Sequence, residues 1–251
     1  MEFKQYSIIP LNYKIGAKRV TVKVYGFDFT QYTCGFSYGG ILIGSGEQIE
    51  IRSNGEYTAR ICDSQGNTVK LLPFCIDFLH IVPTFEGGDG SPDSPFLIKT
   101  SLQLSAMRLN LYADYKIIAP IDFADNYLSW IPIGEFKNVR LSYEGVTFSR
   151  RHAFCGALDG NNQPIKHFRC ICPELYQTGL FGFIGSGIVK NLVMNDVTVC
   201  GKYEVGAIAA RSFQCERIYL NSSKKEDGRI AIPRDVNKKA VTIRRNRSTC
   251  R

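Results

Sequence analysis

The stretch GLFGFIGSGIVKNLVMNDVTVCGKYEVGAIAARSFQCERIYLN, residues 179–221, decides the fold that the sequence predicts. It contains two copies of one unit, a residue pair ending in glycine and then a short apolar strand. The copies are Phe181-Gly182 with Lys190–Asn195, and Val205-Gly206 with Glu216–Asn221. A third, degenerate copy aligns Ile165–Phe168 with Val189–Leu192. Recurrence at this spacing is typical of stacked β-coils, in which each coil buries its apolar side chains against its neighbours.

The pattern assigns roles to individual residues of the predicted coils. Gly182 and Gly206 are expected at corners where a Cβ would clash or φ must be positive. Asn191 is expected at a bend where its amide satisfies the backbone, and Asp159 opens a tight turn. Trp130 is expected in the core or the cap, with stacking on a sugar as the alternative. The expected core residues are Leu180, Phe181, Ile188, Leu192, Met194, Val197, Val199, Val205, Ile208, Ile218 and Leu220.

The first part of the chain shows a different pattern, with short strands that alternate apolar and polar residues between Val20 and Ile76. Turn signals separate these strands, for example Asn54-Gly55. Period-2 strands at roughly ten-residue spacing predict a small β-sandwich. The run from Gly55 to Ile61 fits a sandwich corner in which the Tyr57 hydroxyl ties the loop back to the backbone.

Composition and charge limit the possible classes. The chain has 251 residues, 44% of them hydrophobic and 22% charged, as in a folded protein. Its nine cysteines are an odd number at irregular spacing, which favours buried, reduced thiols over a disulfide scaffold. The formal net charge of +8 is concentrated in residues 224–251. That segment could meet a polyanion, but its alternating pattern favours a solvated terminal strand, so nucleic acid is not an expected partner.

The turn-rich segment 84–95 separates two predicted domains. Its acidic residues lack calcium-loop spacing, so it is interpreted as a plain linker. A helix follows from Ser101 to about Tyr112, opened by a capping box of Thr100 and Gln103, and it is expected to cap the first coil. The predicted organisation is a sandwich at 1–83, the linker at 84–95, coils at 96–223, and a basic strand or tail at 224–251.

Two resemblances add to these predictions. The turn Tyr38-Gly39-Gly40, the strand Asn54–Tyr57 and the hairpin Asp63–Asn67 resemble the immunoglobulin-like modules of bacterial surface and phage tail proteins. These modules usually act as spacers or decorations.

The second resemblance extends over positions 92–221. Its motifs are Pro95–Ile98, Gln103–Arg108, Tyr115–Ile117, Ile121–Phe123, Trp130–Gly134, Phe154–Asn161, Gly179–Gly182 and Val205–Ala209. Together they resemble the GLUG-motif family of bacterial cell-surface proteins. The sequence departs from that pattern at Ala210, which replaces a glycine, and in the long basic insertion Glu135–Arg151. The resemblances imply an all-β protein, an immunoglobulin-like β-sandwich followed by a short right-handed parallel β-helix with one capping α-helix.

Catalysis is an alternative to consider, because right-handed β-helices include polysaccharide lyases and hydrolases. Asp122 with Asp125, or Asp159 with Glu144, could supply an acid/base pair, and His152 a base. However, the chain has no nucleophile elbow, phosphate loop or HExxH motif. Cys170-x-Cys172 has no second pair at zinc-ligand spacing. The sequence therefore predicts a protein that is not an enzyme, with no cofactor and no metal.

The predicted function is that of a structural and binding protein. With no visible leader or membrane helix, it is expected to be a component of a phage virion or tail-like particle, assembled in a bacterial cytoplasm. The alternatives are a fragment of a secreted bacterial cell-surface adhesin and a carbohydrate-active enzyme. Expected partners are structural proteins of the same particle or further copies of this chain, and a host-surface glycan or protein, without membrane insertion. The predicted binding residues are Trp130, Lys137, Arg140, Tyr143, Arg150 and Arg151.

Overall fold

The computed structural model describes residues 5–135 and 152–212, together with the backbone of a strand at 218–220. Almost all of their regular structure is β-strand, with one short α-helix, which confirms the all-β class. The chain divides into two compact units. Unit 1 contains the described residues up to Val82 and also Ala124–Ser129, and unit 2 contains Pro83–Phe123 and the described residues from Trp130 onward.

Unit 1 is built from antiparallel sheets. The strands are β1 (Ser7–Pro10), β2 (Val20–Tyr25), β3 (Thr33–Tyr38), β4 (Ile41–Ser45), β5 (Gln48–Ile51), β6 (Gly55–Cys62) and β7 (Thr68–Ile76). The sheet orders are β1-β2-β5 and β4-β3-β6-β7. Burial alternates along the strands, so that Val20, Val22 and Val24 are buried while Lys23 is exposed. The period-2 pattern of the sequence therefore marks the buried face.

The segment Ala124–Ser129 belongs to unit 1, although the sequence places it inside the predicted coils at 96–223. Leu128 forms a parallel bridge with Ile8 of β1. The Ile8 amide donates to the Tyr127 carbonyl at 2.8 Å, and the Ser129 amide donates to the Ile8 carbonyl at 2.8 Å. These are backbone hydrogen bonds to the edge of a sheet. Any sequence can form them, so hydrophobic periodicity could not reveal the segment's place.

Unit 2 begins with the residues predicted to be a linker. The Glu86 amide donates to the Leu97 carbonyl at 3.0 Å, and the Leu97 amide donates to the Gly87 carbonyl at 2.9 Å. The Phe85 ring stacks on the Phe96 ring with centroids 4.5 Å apart. Residues 84–95 thus form a loop that is hydrogen-bonded and packed within unit 2.

The predicted capping box is confirmed. Thr100 Oγ1 accepts from the Gln103 amide and Gln103 Oε1 accepts from the Thr100 amide, both at 3.1 Å. The helix is shorter than predicted, because the chain turns extended at Asn110 and the Asn110 side chain accepts the Tyr112 amide at 3.1 Å. Such side-chain bonds compete with helical ones. The helical elements are α1 (Ser101–Ala106) and a 3-10 turn (Met107–Leu109).

All strand pairs in the described part of unit 2 are parallel, in short ladders of two to four residues. The strands are β8 (Phe96–Ile98), β9 (Tyr115–Ile117), β10 (Ile121–Asp122), β11 (Ala157–Asp159), β12 (Pro164–Lys166), β13 (Arg169–Cys172), β14 (Gln177–Thr178), β15 (Phe181–Ile184), β16 (Ile188–Lys190), β17 (Leu192–Asn195), β18 (Thr198–Gly201), β19 (Glu204–Val205), β20 (Ala209–Ser212) and β21 (Ile218–Leu220). The sheet orders are β16-β11-β9-β8, β10-β12-β17-β21, β13-β18, β14-β19 and β15-β20.

The register agrees with the predicted repeat at one place and differs at two. Leu192 lies beside Ile218, as the predicted alignment of their two strands requires. The glycine alignment was wrong, because Phe181 lies beside Ala209 while Val205 lies beside Thr178. The third copy was also misplaced. Its Ile165 lies beside Met194 rather than Val189.

One continuous core fills the described part of unit 2, and five of the eleven predicted core residues belong to it, while Val197 and Val199 pack against it. Leu180, Phe181, Leu192, Met194 and Ile208 are all buried in it. The prediction failed at Ile188, whose side chain is 41% exposed. In the strand β16 the pattern is exposed, buried, exposed, so Val189 takes the inward position. The side chains of β21 are outside the described residues.

Candidate binding site

The polar residues that the sequence singled out in unit 2 bond mainly to their own scaffold. Asn191 has a φ of 51° and donates through Nδ2 to Asp159 Oδ1 at 3.1 Å. The same oxygen accepts the Asn161 amide at 2.8 Å, and Lys190 Nζ lies 3.8 Å from the other carboxylate oxygen. These bonds join neighbouring parallel strands. Asp159 and Asn191 are therefore occupied in holding adjacent turns of chain together.

The two predicted corner glycines lie where the backbone comes close to another chain segment. A Cβ on Gly182 would lie 2.4 Å from the Gly134 carbonyl oxygen, and one on Gly206 would lie 2.1 Å from the Ala209 carbonyl oxygen. Real Cβ atoms do not come so close to backbone, so both positions require glycine for space. Neither has a positive φ.

Trp130, expected in the core or the cap and also named as a candidate binding residue, is a core residue with only 7% of its surface exposed. Its indole Nε1 donates to the Leu180 carbonyl at 3.1 Å. The Arg108 guanidinium lies 4.6 Å from the ring centroid, and the Phe123 and Phe168 rings pack at 5.7 Å. The ring is enclosed by these neighbours, so Trp130 cannot stack on a ligand at the surface. The other predicted binding residues, Lys137, Arg140, Tyr143, Arg150 and Arg151, lie outside the described residues.

The ionisable groups considered for catalysis lie on the surface. His167 Nδ1 is 2.7 Å from Asp122 Oδ1, and His167 Nε2 is 3.8 Å from Asp196 Oδ2, with all three side chains roughly half exposed. His152 Nδ1 lies 3.9 Å from Glu135 Oε1. His167 and Asp196 both have positive φ and follow neighbouring strands. The side chains of Asp122, His167 and Asp196 therefore form a row that links successive turns of chain. Asp125 belongs to unit 1 and Glu144 lies outside the described residues.

An exposed pair of tyrosines, not predicted from the sequence, lies on the surface of the described part of unit 2. The rings of Tyr176 and Tyr203 stack with centroids 4.6 Å apart and planes 18° apart. Each side chain is 63% exposed. Because the rings cover one face of each other, most of the exposed surface lies on the remaining parts of the two side chains. We call this pair the Tyr176–Tyr203 stack.

The backbone holds the Tyr176–Tyr203 stack in place. The Lys202 amide donates to the Leu175 carbonyl at 2.9 Å, and the Glu204 amide donates to the Tyr176 carbonyl at 2.8 Å. The following residues continue as the paired strands β14 and β19. Since the ring separation matches the spacing of neighbouring strands, about 4.7–4.9 Å, the stack follows directly from the parallel register.

Lys202 lies beside the Tyr176–Tyr203 stack, and the residues that follow the tyrosines in the chain form a polar group of their own. Lys202 Nζ lies 5.6 Å and 5.7 Å from the Tyr176 and Tyr203 centroids. Its similar distance from both rings places it beside the pair. Gln177 Nε2 donates to Glu204 Oε2 at 2.7 Å, and Arg211 Nε lies 3.5 Å from Glu204 Oε1. The Glu204 carboxylate is thus neutralised and fixed next to the rings.

A sequence signal for this site exists. The segments Tyr176-Gln177-Thr178-Gly179 and Tyr203-Glu204-Val205-Gly206 share one pattern, a tyrosine, an amide or acid, any residue and a glycine. Aligning Gly206 with Gly182 hid this repeat. In the structure Gly206 lies against Gly179, where a Cβ would be 2.2 Å from the Gly206 carbonyl oxygen.

Among the described residues, no group of three or more His, Cys, Asp or Glu side chains is placed to hold a metal ion. The helix in this part of the chain is too short to cross a bilayer. The groups that characterise the site are the two tyrosine rings, their hydroxyl groups and the Lys202 side chain beside them.

Comparison with known proteins gives partial similarities. No protein-family model matches the chain, and no solved structure matches it. The chain is similar to Halomucin of Haloquadratum walsbyi, with 27% identity over 129 residues, 50% of this chain and 1% of that protein. It is also similar to a Gly-rich membrane protein of Evansella cellulosilytica, with 31% identity over 140 residues, 51% of this chain and 14% of that protein. The chain therefore spans only a small part of the length of the curated relatives it matches.

Proposed function

We propose that the protein is a non-enzymatic structural and binding protein, built as an immunoglobulin-like β-sandwich followed by a short right-handed parallel β-helix. The antiparallel sheets of unit 1 and the uniformly parallel pairing in the described part of unit 2 support this architecture. The parallel half would act as a rigid scaffold, because neighbouring turns of chain share one core. Binding residues held on such a scaffold lose little freedom when a partner docks.

The observation that carries the proposal is the exposed Tyr176–Tyr203 stack. Tyrosine supplies a large contact area with few rotatable bonds, and it is common at recognition surfaces. By contrast, the Asp159 carboxylate is bonded within its scaffold. This contrast favours binding over the carbohydrate-active enzyme as the function of the scaffold.

The setting proposed first is a phage virion or tail-like particle, in which the chain contacts other structural proteins or its own copies and mediates assembly or attachment to the host envelope. The resemblance of residues 38–67 to tail-protein modules supports it. The second candidate is a segment of a secreted surface adhesin. The similarity of about half the chain to short parts of two much longer proteins, one named as a membrane protein, favours this candidate.

Sedimentation of the purified chain with bacterial envelope fractions, and its molar mass by light scattering, test the proposal. We expect saturable binding to the envelope or self-association. A monomer that neither sediments nor binds particle proteins would refute a binding function. Release of sugars from envelope polysaccharide, abolished by Asp122→Ala or Asp159→Ala, would establish the enzyme instead.

A further inference from the structure

We propose that the Tyr176–Tyr203 stack is a binding site for an uncharged glycan, whose sugar rings pack on the open tyrosine faces. This inference rests on the proposed binding function and names the ligand class of its site. The structure offers three observations that select this class: the geometry of the rings, the state of the hydroxyl groups, and the balance of charge around them.

The rings provide flat apolar surface at the outside of the fold. Each tyrosine keeps 63% of its surface exposed although its neighbour covers one face. The stack therefore presents an open ring face on each of its two sides. The flat C–H face of a pyranose ring is complementary to such a surface, because it buries apolar area without requiring charge.

The hydroxyl groups are available for a ligand. Within the described part of the chain, the phenol groups of Tyr176 and Tyr203 form no hydrogen bond. A phenol both donates and accepts, as a sugar hydroxyl does. Buried ligand hydroxyl groups need partners, and these two phenols stand at the edge of the surface on which the sugar would lie.

Charge around the stack is balanced. The described charged residues next to the two tyrosines in the chain are Glu174, Lys202 and Glu204, and Glu204 pairs with Arg211. The formal charges of these four residues cancel, so together they add no net charge that would select an acidic polymer. The charge balance therefore favours an uncharged ligand.

The size of the surface argues against a protein partner at this place. Among the described residues next to the two tyrosines in the chain, the only other exposed large apolar side chain is Leu175. A stable protein interface typically takes about 20–30 residues on each side. Two stacked rings match the footprint of one or two sugar units instead.

The test measures retention of the full-length chain on beads carrying dextran, mannan, galactan or cellulose, followed by titration calorimetry with oligosaccharides of the retained polymer. We expect retention by at least one of these neutral polymers. Binding should persist in about 1 M NaCl, where the Debye length is about 3 Å. Tyr176→Ala and Tyr203→Ala should each weaken binding about tenfold.

Matched variants keep the result interpretable. Tyr112→Ala removes a tyrosine of unit 2 that is 60% exposed and lies outside the stack, so it should leave affinity unchanged. Tyr203→Phe keeps the ring and removes only the hydroxyl, so it should weaken binding less than Tyr203→Ala. The unfolding transition of each variant, followed by the fluorescence of Trp130, shows whether unit 2 is folded.

Several results would overturn the inference. These are no retention by any neutral polymer, retention that the tyrosine variants do not change, and binding only to alginate or heparin that disappears in high salt. If the chain sediments with envelope fractions but the tyrosine variants sediment equally, the glycan site is refuted while the proposed binding function stands. If the chain binds neither polymer nor envelope, stays monomeric and binds no particle protein, both are refuted.

Discussion

Replacing Phe181 with alanine tests whether the parallel strands of unit 2 depend on one shared core. Phe181 is fully buried in β15, and its ring packs on the Phe154 ring with centroids 4.8 Å apart. Its strand pairs with β20, which belongs to a later turn of chain. The Phe181 side chain therefore lies in a core that several turns of chain share. Its removal should lower the free energy of unfolding of unit 2 as a whole.

The expected loss in free energy of unfolding can be estimated from its parts. Burying a side chain of this size contributes about 1.5–3 kcal/mol. The aromatic pair with Phe154 adds about 0.5–1.5 kcal/mol, and the cavity left in a tightly packed core adds a further cost. We therefore expect Phe181→Ala to reduce the stability of unit 2 by about 3–5 kcal/mol.

Urea denaturation followed by tryptophan fluorescence measures this loss selectively. Trp130 is the single tryptophan of the chain, and it is buried in the core of unit 2. Its emission therefore reports the unfolding of unit 2. The midpoint should fall while the slope of the transition stays unchanged.

Ile188→Ala is the matched control, because Ile188 lies in the strand that follows β15 and is 41% exposed. It should cost less than about 1 kcal/mol, since its side chain is largely in water already. If the two variants lose equal stability, or if Phe181→Ala costs less than about 1 kcal/mol, the shared core is refuted.

Three further predictions concern single positions. Tyr57→Phe removes the bond from the Tyr57 hydroxyl to the Ser53 carbonyl oxygen, 2.7 Å long, and should cost unit 1 about 0.5–1.5 kcal/mol in a thermal or urea melt, the usual net contribution of one intramolecular hydrogen bond. Burial, with a smaller contribution from the neighbouring Cys62, raises the pKa of the Cys34 thiol from 9.0 to about 12. The thiol ionises first in the unfolded state, so its contribution to stability is complete below pH 9.0 and is lost as pH rises toward about 12, by about 1.4 kcal/mol between about pH 8 and about pH 10. Gly206→Ala places a Cβ against the Ala209 carbonyl oxygen and should destabilise unit 2 by about 1–3 kcal/mol in the Trp130 fluorescence assay.

Each of these predictions has a control in the same unit. Tyr38→Phe changes a half-exposed tyrosine that packs on Tyr57, and it should be nearly neutral. Cys34→Val removes the thiol, so the alkaline loss of stability should become smaller by the stated amount. Gly87→Ala meets only a Leu97 side chain at ordinary distance, and should be tolerated. If Tyr38→Phe or Gly87→Ala loses as much stability as its test variant, the reason given for that position is wrong. The same holds for Cys34 if Cys34→Val leaves the alkaline loss of stability unchanged.

Local features of the fold could be predicted because neighbouring residues decide them. The capping box of Thr100 and Gln103 needs only a hydroxyl and an amide three positions apart, and both bonds form. The pairing of Leu192 with Ile218 was visible because both strands keep a similar apolar pattern. The all-β class follows from the same alternation repeated along the chain.

The candidate site could not be found in this way. Tyr176 and Tyr203 come together only because Thr178 pairs with Val205, and the sequence suggested a different partner for Val205-Gly206. Glycines recur often in such a chain. A glycine therefore indicates where the chain turns, but it does not indicate which other turn of chain packs against it. More residues separate the paired positions Cys170 and Val199 along the chain than separate Leu192 and Ile218. No single repeat length could therefore predict the register.

The sequence by itself determined the all-β class, the position of the helix start, and the residues that turn the chain. Tertiary structure alone decided that residues 124–129 join unit 1 and that two tyrosines far apart in the chain form one surface. The physical reason is the nature of parallel pairing. It is made by backbone groups that every residue carries, between segments joined by loops of unequal length. Side-chain patterns therefore specify which residues face inward, while the packing of the whole core selects which segments become neighbours.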